Sequence, residues 1–132
     1  MPTEHRKTIL IIDDEKLMRA LLQHNVVLAG YDVMVASNGE EALKKIEEMT
    51  PDLIVVDLVM PDMNGFETCR RIRSNDRTKK TPVIVVSALQ SQSDIEEAKN
   101  SGADIFLTKP IKPEEFINEV KKFLPSPFKT AP

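Results

Sequence analysis

LIVVDLVMPDMNGFE, residues 53–67, decides how this chain is read. Four apolar residues of strand length, Leu53 to Val56, lead into a lone carboxylate, Asp57. A loop of Pro, Asp, Asn and Gly follows, before an amphipathic segment opens at about Gly65. A continuous apolar run, rather than an alternating one, suits a central strand buried on both faces of a parallel sheet. The acid then stands at the strand's C-terminal tip, the edge at which such sheets bind ligands.

The same unit recurs on both sides of this stretch. TILIID (8–13), DVMVAS (32–37), DLIVVD (52–57), PVIVVS (82–87) and DIFLTK (104–109) all have strand length and Val/Ile enrichment. Helical stretches separate them. In the first, Leu17, Leu21, His24 and Leu28 recur at helical spacing as its apolar face, and Gly30 marks a stop. The second, SNGEEALKKIEEM, has Ser37 or Asn38 as its cap, Glu40 and Glu41 in its first turn, and Ala42, Ile46 and Met49 facing inward. The third spans about 65–74. The fourth, about 91–101, stops at Gly102. The last opens at Pro113, carries Glu114 and Glu115 in its first turn, and buries Phe116, Val120 and Phe123. Strands alternating with helices predict an α/β fold, a five-stranded parallel sheet with helices on both faces.

The whole chain, 132 residues long, has room for one such domain. Its 41% hydrophobic and 30% charged residues are those of an ordinary globular protein. A net charge of −3, no basic block and no Trp offer neither a phosphate-tracking stripe nor a base-stacking platform, so no nucleic-acid contact is expected from this chain. The four apolar residues Ile9 to Ile12 are too few for a signal peptide or a membrane span, and a cytoplasmic location with no membrane contact is expected. Cys69 has no Cys or His at ligand spacing and shares a helix face with Phe66 and Ile72, which predicts a buried structural thiol.

Right-handed crossovers bring every strand's C-terminal end to one rim. Asp13, Asp14, Asp57, Ser87 and Lys109 should therefore meet there, though they lie far apart in sequence. Carboxylates at close range repel by up to about 4 kcal/mol per pair at an intermediate dielectric. A hard divalent ion such as Mg²⁺ relieves this, because it uses one or two carboxylates and keeps several waters. Lys109 brings a second positive charge, and Ser87 a hydroxyl with small Ala88 beside it. Each residue alone has a plainer explanation; Asp14, for instance, is a candidate N-cap for the first helix. Together they are hard to explain as loop solvation.

These motifs resemble the receiver domain of bacterial two-component response regulators over residues 8–124. LIIDDE resembles that family's acidic pair, VVDLVMPDMNG its phosphoacceptor strand and loop, VIVVSA its switch-hydroxyl strand, and DIFLTKP its switch aromatic and lysine-proline. The resemblance implies a flavodoxin-like sheet of order 2-1-3-4-5. It further implies Asp57 as phosphoacceptor, with Ser87 and Lys109 contacting the phosphoryl group. Mg²⁺ would be held by Asp14, Asp57 and the backbone carbonyl of Val59, with Asp13 acting through a water. A cis Lys109–Pro110 bond and a Ser87–Phe106 switch are implied too, Phe106 lacking the hydroxyl of the equally familiar Tyr. The implied partners are a histidine kinase or histidine phosphotransfer protein, and a downstream protein or a second copy at the face of the fourth helix, fifth strand and fifth helix. Residues 1–7 then read as an N-terminal extension, and PSPFKTAP, 125–132, as a Pro-rich tail or the start of a linker.

A rival reading is a Mg²⁺-dependent phosphatase or phosphotransferase with an aspartyl nucleophile. Such enzymes usually carry Asp-x-Asp after the first strand, whereas the acids here are adjacent. A nucleotide-binding module is weaker still, for want of a glycine-rich loop.

Overall fold

All five apolar runs are strands in the computed structural model, which describes residues 5–129. In chain order the elements are β1 (Thr8–Ile12), α1 (Lys16–Leu28), β2 (Asp32–Ala36), α2 (Gly39–Glu48), β3 (Leu53–Val56), α3 (Gly65–Ser74), β4 (Val83–Ser87), α4 (Gln92–Ser101), β5 (Ile105–Thr108) and α5 (Pro113–Phe123). The strands form one parallel sheet ordered β2-β1-β3-β4-β5.

Alternation along the central strands splits the core in two. Leu10, Ile12, Ile54, Val56, Val83 and Val85 face one way, against Ala42 and Ile46 of α2, Phe66, Cys69 and Ile72 of α3, and Ala98 of α4. Ile9, Ile11, Leu53, Val55, Ile84 and Val86 face the other, against Leu22 and Val26 of α1 and Phe116 and Val120 of α5. Both faces being covered explains why these strands read as unbroken apolar runs. Cys69 is wholly buried, as its neighbours foretold, and burial pushes its thiol up to about 11.

Helix ends follow local chemistry. Asn38, not Ser37, caps α2, accepting from Glu41 N–H at 2.8 Å, while the Ser37 hydroxyl donates to the Glu41 carboxylate at 2.7 Å. Asn64 caps α3 through Glu67 N–H at 3.0 Å. Gly102 ends α4 in the left-handed conformation, φ +119°, where a Cβ would also meet Arg73. Arg73 itself ties the C-terminal ends of α3 and α4 together, donating to Gly102 C=O and pairing with Asp104 at 2.8 Å.

Three expectations are corrected. Leu17, Leu21 and Leu28 are 81, 45 and 73% exposed, and His24 is exposed beside them; Leu22 and Val26 make the buried face of α1 instead. Met49, expected to face inward, stands just past the end of α2 and is 47% exposed, whereas Ala42 and Ile46 are buried. Asp14 is not the N-cap of α1: that position is Glu15, with no side-chain cap bond.

Residues 1–4 of the expected extension and 130–132 of the expected tail lie outside the described residues. The remainder pair with each other at the end of the sheet opposite the acidic rim. Lys7 N–H donates to Pro127 C=O at 2.7 Å, Lys129 N–H to His5 C=O at 2.8 Å, and the Arg6 guanidinium lies 5.3 Å from the Phe128 ring centre. The buried Tyr31 hydroxyl anchors the turn into this pairing by donating to Leu124 C=O at 2.5 Å.

Replacing Tyr31 by Phe leaves that carbonyl without its donor in a buried place, a loss of about 1–2 kcal/mol. Urea unfolding of Tyr31→Phe should show a lower midpoint with an unchanged slope. An unchanged midpoint would mean that this bond adds nothing to the fold.

Candidate functional site

The register of β1 on β3 creates the site. Ile12 and Val56 are partners, so the residues that follow them, Asp13 and Asp57, emerge side by side where the strand order reverses. The sheet's own hydrogen bonding continues one step into both acids: Asp13 N–H donates to Ala36 C=O at 3.1 Å and Asp57 N–H to Ile12 C=O at 3.0 Å. Their backbones are thus as fixed as the strands. Asp13 is 1% and Asp57 6% exposed, whereas Asp14, next along, faces solvent.

Lys109 arrives from the far side of β4. Ser87 pairs with Thr108 at the end of the β4–β5 ladder, Lys109 N–H donates to Ser87 C=O at 2.8 Å, and the Lys109–Pro110 bond is cis as expected. The side chain crosses β4 and sets its ammonium 3.2 Å from both Asp13 Oδ2 and Asp57 Oδ2. The second oxygens take backbone donors. Asp13 Oδ1 accepts from Glu15 N–H at 2.9 Å, and Asp57 Oδ1 from Val59 N–H at 3.2 Å.

Charge is not balanced by these contacts. Asp13, Asp14 and Asp57 each bring a carboxylate oxygen within 4.8 Å of the others, against one ammonium. Burial, more than anything else, pushes the Asp13 carboxyl above its ordinary range, the Asp57 charge adds to this, and the Glu15 N–H and Lys109 only partly offset it. Burial would lower the Lys109 ammonium, but the Asp57 and Asp13 charges outweigh that and hold it above its ordinary value. Lysine therefore stays charged throughout the physiological range. A cluster of three oxygen ligands with uncompensated negative charge and one open, solvent-facing side fits a hard divalent cation.

The structure thus brings together Asp13, Asp14, Asp57 and Lys109. Ser87 is fully buried at the tip of β4, and its hydroxyl accepts from Leu89 N–H at 3.3 Å; among the described residues it has no bond to Asp57. Phe106 is half-buried on β5, opposite Val85 and packed against the α2–α3–α4 core. Val59 stands 55% exposed beside the acids, while Leu89 packs partly into the core.

Gly65 closes the loop. Its N–H donates to Leu58 C=O at 3.0 Å, and a Cβ there would stand 2.3 Å from Asp57 O and 2.5 Å from Leu58 Cα. Only glycine lets α3 start this close to the backbone of Asp57 and Leu58. Arg19 is the contact that sequence reading missed: it donates to Asp13 C=O at 2.8 Å from the first turn of α1. A cation six residues after the acid was the available signal, but spacing alone does not distinguish it from a solvated side chain.

Known proteins share this pattern. The family described as response regulator receiver domain matches residues 9–121. The alkaline phosphatase synthesis transcriptional regulatory protein PhoP of Bacillus subtilis is 42% identical over 118 residues, which are 89% of this chain and 48% of that protein. The chain thus spans about half the length of that relative. Chemotaxis protein CheY of Thermotoga maritima is 38% identical over 117 residues, 88% of this chain and 96% of that one. Among solved structures, Vibrio cholerae chemotaxis protein CheY4 superposes with a TM-score of 0.86 at 32% identity, over 89% of this chain and 98% of the other.

Because the folded state raises the Asp13 carboxyl above its unfolded value, folding disfavours its charged form. That cost is full at neutral pH and vanishes once both states are protonated, below the ordinary carboxylate value of 3.8. Asp13→Asn keeps an acceptor for Glu15 N–H and removes the buried charge. Without added divalent ion it should raise stability by about 1–2 kcal/mol at pH 7. The gain should shrink as pH falls toward 4, read as melting temperature against pH. A variant less stable than wild type at pH 7 would contradict this account of the site's charge.

Proposed function

The chain belongs to the response regulator receiver domain family, and from that premise we propose that Asp57 accepts a phosphoryl group from the phosphohistidine of a histidine kinase or histidine phosphotransfer protein. The observation that carries the reading is the ammonium of Lys109 held 3.2 Å from both buried carboxylates beside a third acid. In the transfer an Asp57 carboxylate oxygen forms the new bond to phosphorus as the nitrogen–phosphorus bond breaks, and the electron pair leaves with the imidazole, which takes up a proton.

Positioning carries most of such a transfer. The Val59 N–H and Lys109 fix the two Asp57 oxygens, so the carboxylate presents itself without rotating. Lys109 then faces the equatorial phosphoryl oxygens, where a compact ammonium stabilises gathering charge. Asp14, Asp57 and the Val59 carbonyl would hold Mg²⁺, with Asp13 acting through a water. Held by these residues, such an ion would supply positive charge to offset the negative charge of the site.

The acyl phosphate carries nearly one more negative charge and three acceptor oxygens. The Ser87 hydroxyl, engaged among the described residues by Leu89 N–H alone at 3.3 Å, turns toward them. Space opens beneath the β4–α4 loop, and Phe106 rotates inward to fill it. The face of α4, β5 and α5 changes shape there and meets a downstream protein or a second copy. Taking such an equilibrium from mostly off to mostly on requires about 5.5 kcal/mol of preference for the altered form. Phe106 has no phenolic hydroxyl, so packing alone carries the motion.

No feature of the site favours the phosphatase alternative, and the family match gives it no support. No helix among the described residues is long and apolar enough to cross a membrane. A cytoplasmic setting, one in which a kinase would meet this chain, is part of the same proposal.

With a small phosphodonor and Mg²⁺, intact-protein mass spectrometry should show the addition of one phosphoryl group to wild type and none to Asp57→Ala. Equal labelling of both would refute the assignment. Val59 and Leu89 offer no amide or carboxylate to orient an attacking water, so the phosphoryl group should persist for minutes or longer. Val59→Asn should shorten its lifetime several-fold. A lifetime of seconds in the wild-type domain would overturn this second expectation.

A further inference from the structure

Arg19 is the odd cation of the acidic end. Asp13, Asp14 and Glu15 closely precede it, yet among the described residues its guanidinium pairs with no carboxylate and donates to a backbone carbonyl, that of Asp13, at 2.8 Å. This carbonyl lies just past the sheet. The Asp13 N–H ends the pairing with β2 on Ala36 C=O, and no residue of β2 donates to the Asp13 C=O in return. Helix α1 has little else to hold its start: its N-cap, Glu15, makes no side-chain cap bond, and its first turn carries no acid. The turn from β1 into α1 therefore hangs on two side-chain contacts, Asp13 Oδ1 with Glu15 N–H at 2.9 Å and Arg19 with Asp13 C=O.

Of the three acids, Asp14 is the one whose side chain nothing holds. The carboxylates of Asp13 and Asp57 are buried, each accepting from a backbone N–H and from Lys109, whereas that of Asp14 is exposed and accepts no hydrogen bond from any described residue. Like charges within 4.8 Å push it outward into water. The direction in which its backbone leaves Asp13 opposes this. A peptide unit is planar, so a fixed Asp13 C=O also fixes the N and Cα of Asp14.

We propose that Arg19 is a positioning residue for the cation site: through the Asp13–Asp14 peptide it aims the Asp14 carboxylate toward the other two before an ion arrives, so that binding has less order to impose. This role rests on the proposed reading that Asp14, Asp57 and the Val59 carbonyl hold a divalent ion. It is opposite in sign to a role for Arg19 as charge alone. A guanidinium beside the acids repels a divalent cation, so if charge were its only effect, removing it would tighten the ion.

Titration of the isotopically labelled full chain with MgCl₂, followed through backbone amide shifts near Asp57, reads Mg²⁺ affinity with no phosphodonor present. Arg19→Met keeps the half-buried stem and loses the guanidinium; it should weaken Mg²⁺ by about 10-fold. Arg19→Lys keeps the charge and one donor head, and should fall between the two. With a small phosphodonor, the loss should appear in the Mg²⁺ concentration needed for labelling more than in the rate at saturation. Wild-type or tighter Mg²⁺ binding by Arg19→Met would overturn the assignment, as would a lower melting temperature with no change in affinity, which would leave Arg19 a structural residue only. Should Arg19→Met not fold, Arg19→Lys decides alone, and wild-type affinity in a lysine variant whose Asp13 amide shifts have changed would refute the role. A wild type that binds no Mg²⁺ would instead remove the metal reading itself, and this role with it.

Discussion

One ammonium holds two buried carboxylates together at the tip of the sheet. Asp13 and Asp57 are brought side by side by the β1–β3 register, and neither has much access to water. Two such charges repel by about 4 kcal/mol at 4 Å and an intermediate dielectric. Lys109, at 3.2 Å from each, cancels most of that but leaves the exposed Asp14 unmatched. Removing the lysine would leave two uncompensated buried charges, the costly form of a broken ion pair. The surrounding fold is arranged to tolerate this unfinished charge: unbroken apolar strands beneath, helices on both faces, and backbone donors on the remaining carboxylate oxygens. A site content with its own charges would have little use for a divalent ion or an incoming phosphoryl group.

Much of this was legible because strand and rim residues answer to strong, local rules. A run such as Leu53 to Val56 has no polar residue to expose, so it must be central, and the acid that ends it must sit at the edge. The strand order was another matter. Periodicity predicts a parallel sheet but is silent on which strand neighbours which, and 2-1-3-4-5 came from the resemblance of the motifs. The convergence of Lys109 on Asp13 and Asp57 depends on that order, since β4 must lie between β3 and β5 for the lysine to cross it.

Where reading failed, the rules were evenly matched. Helix α1 offers two apolar stripes, one through Leu22 and Val26 and one through Leu17, Leu21 and Leu28. A 3.6-residue period detects both and chooses neither; tertiary packing chose the pair that meets Ile9, Ile11, Phe116 and Val120. Met49 failed for a different reason, since the helix stops before it and the face it would have continued no longer exists. The chain ends were read from composition, and Pro-rich composition says nothing about an antiparallel partner at the opposite end of the chain. Residues 5–7 supply that partner through backbone bonds, which carry no sequence signal at all.

The proposed acceptor is held firmly in the site. Asp57 is tied to β1 through its N–H, and Gly65 packs directly on its carbonyl, so neither β3 nor the start of α3 can shift without breaking a backbone contact. Ser87 differs: among the described residues its hydroxyl has a single long bond, to Leu89 N–H two residues on, and Ala88 between them is exposed. Interactions that hold a carboxylate for attack and interactions that yield to its modification have to be different ones. Here the backbones of Asp13 and Asp57 are held by the sheet, whereas among the described residues the Ser87 hydroxyl is held by one bond of 3.3 Å. On the proposed reading, charge added at Asp57 would act on the Ser87 hydroxyl at the tip of β4 and, through it, on Phe106 of β5.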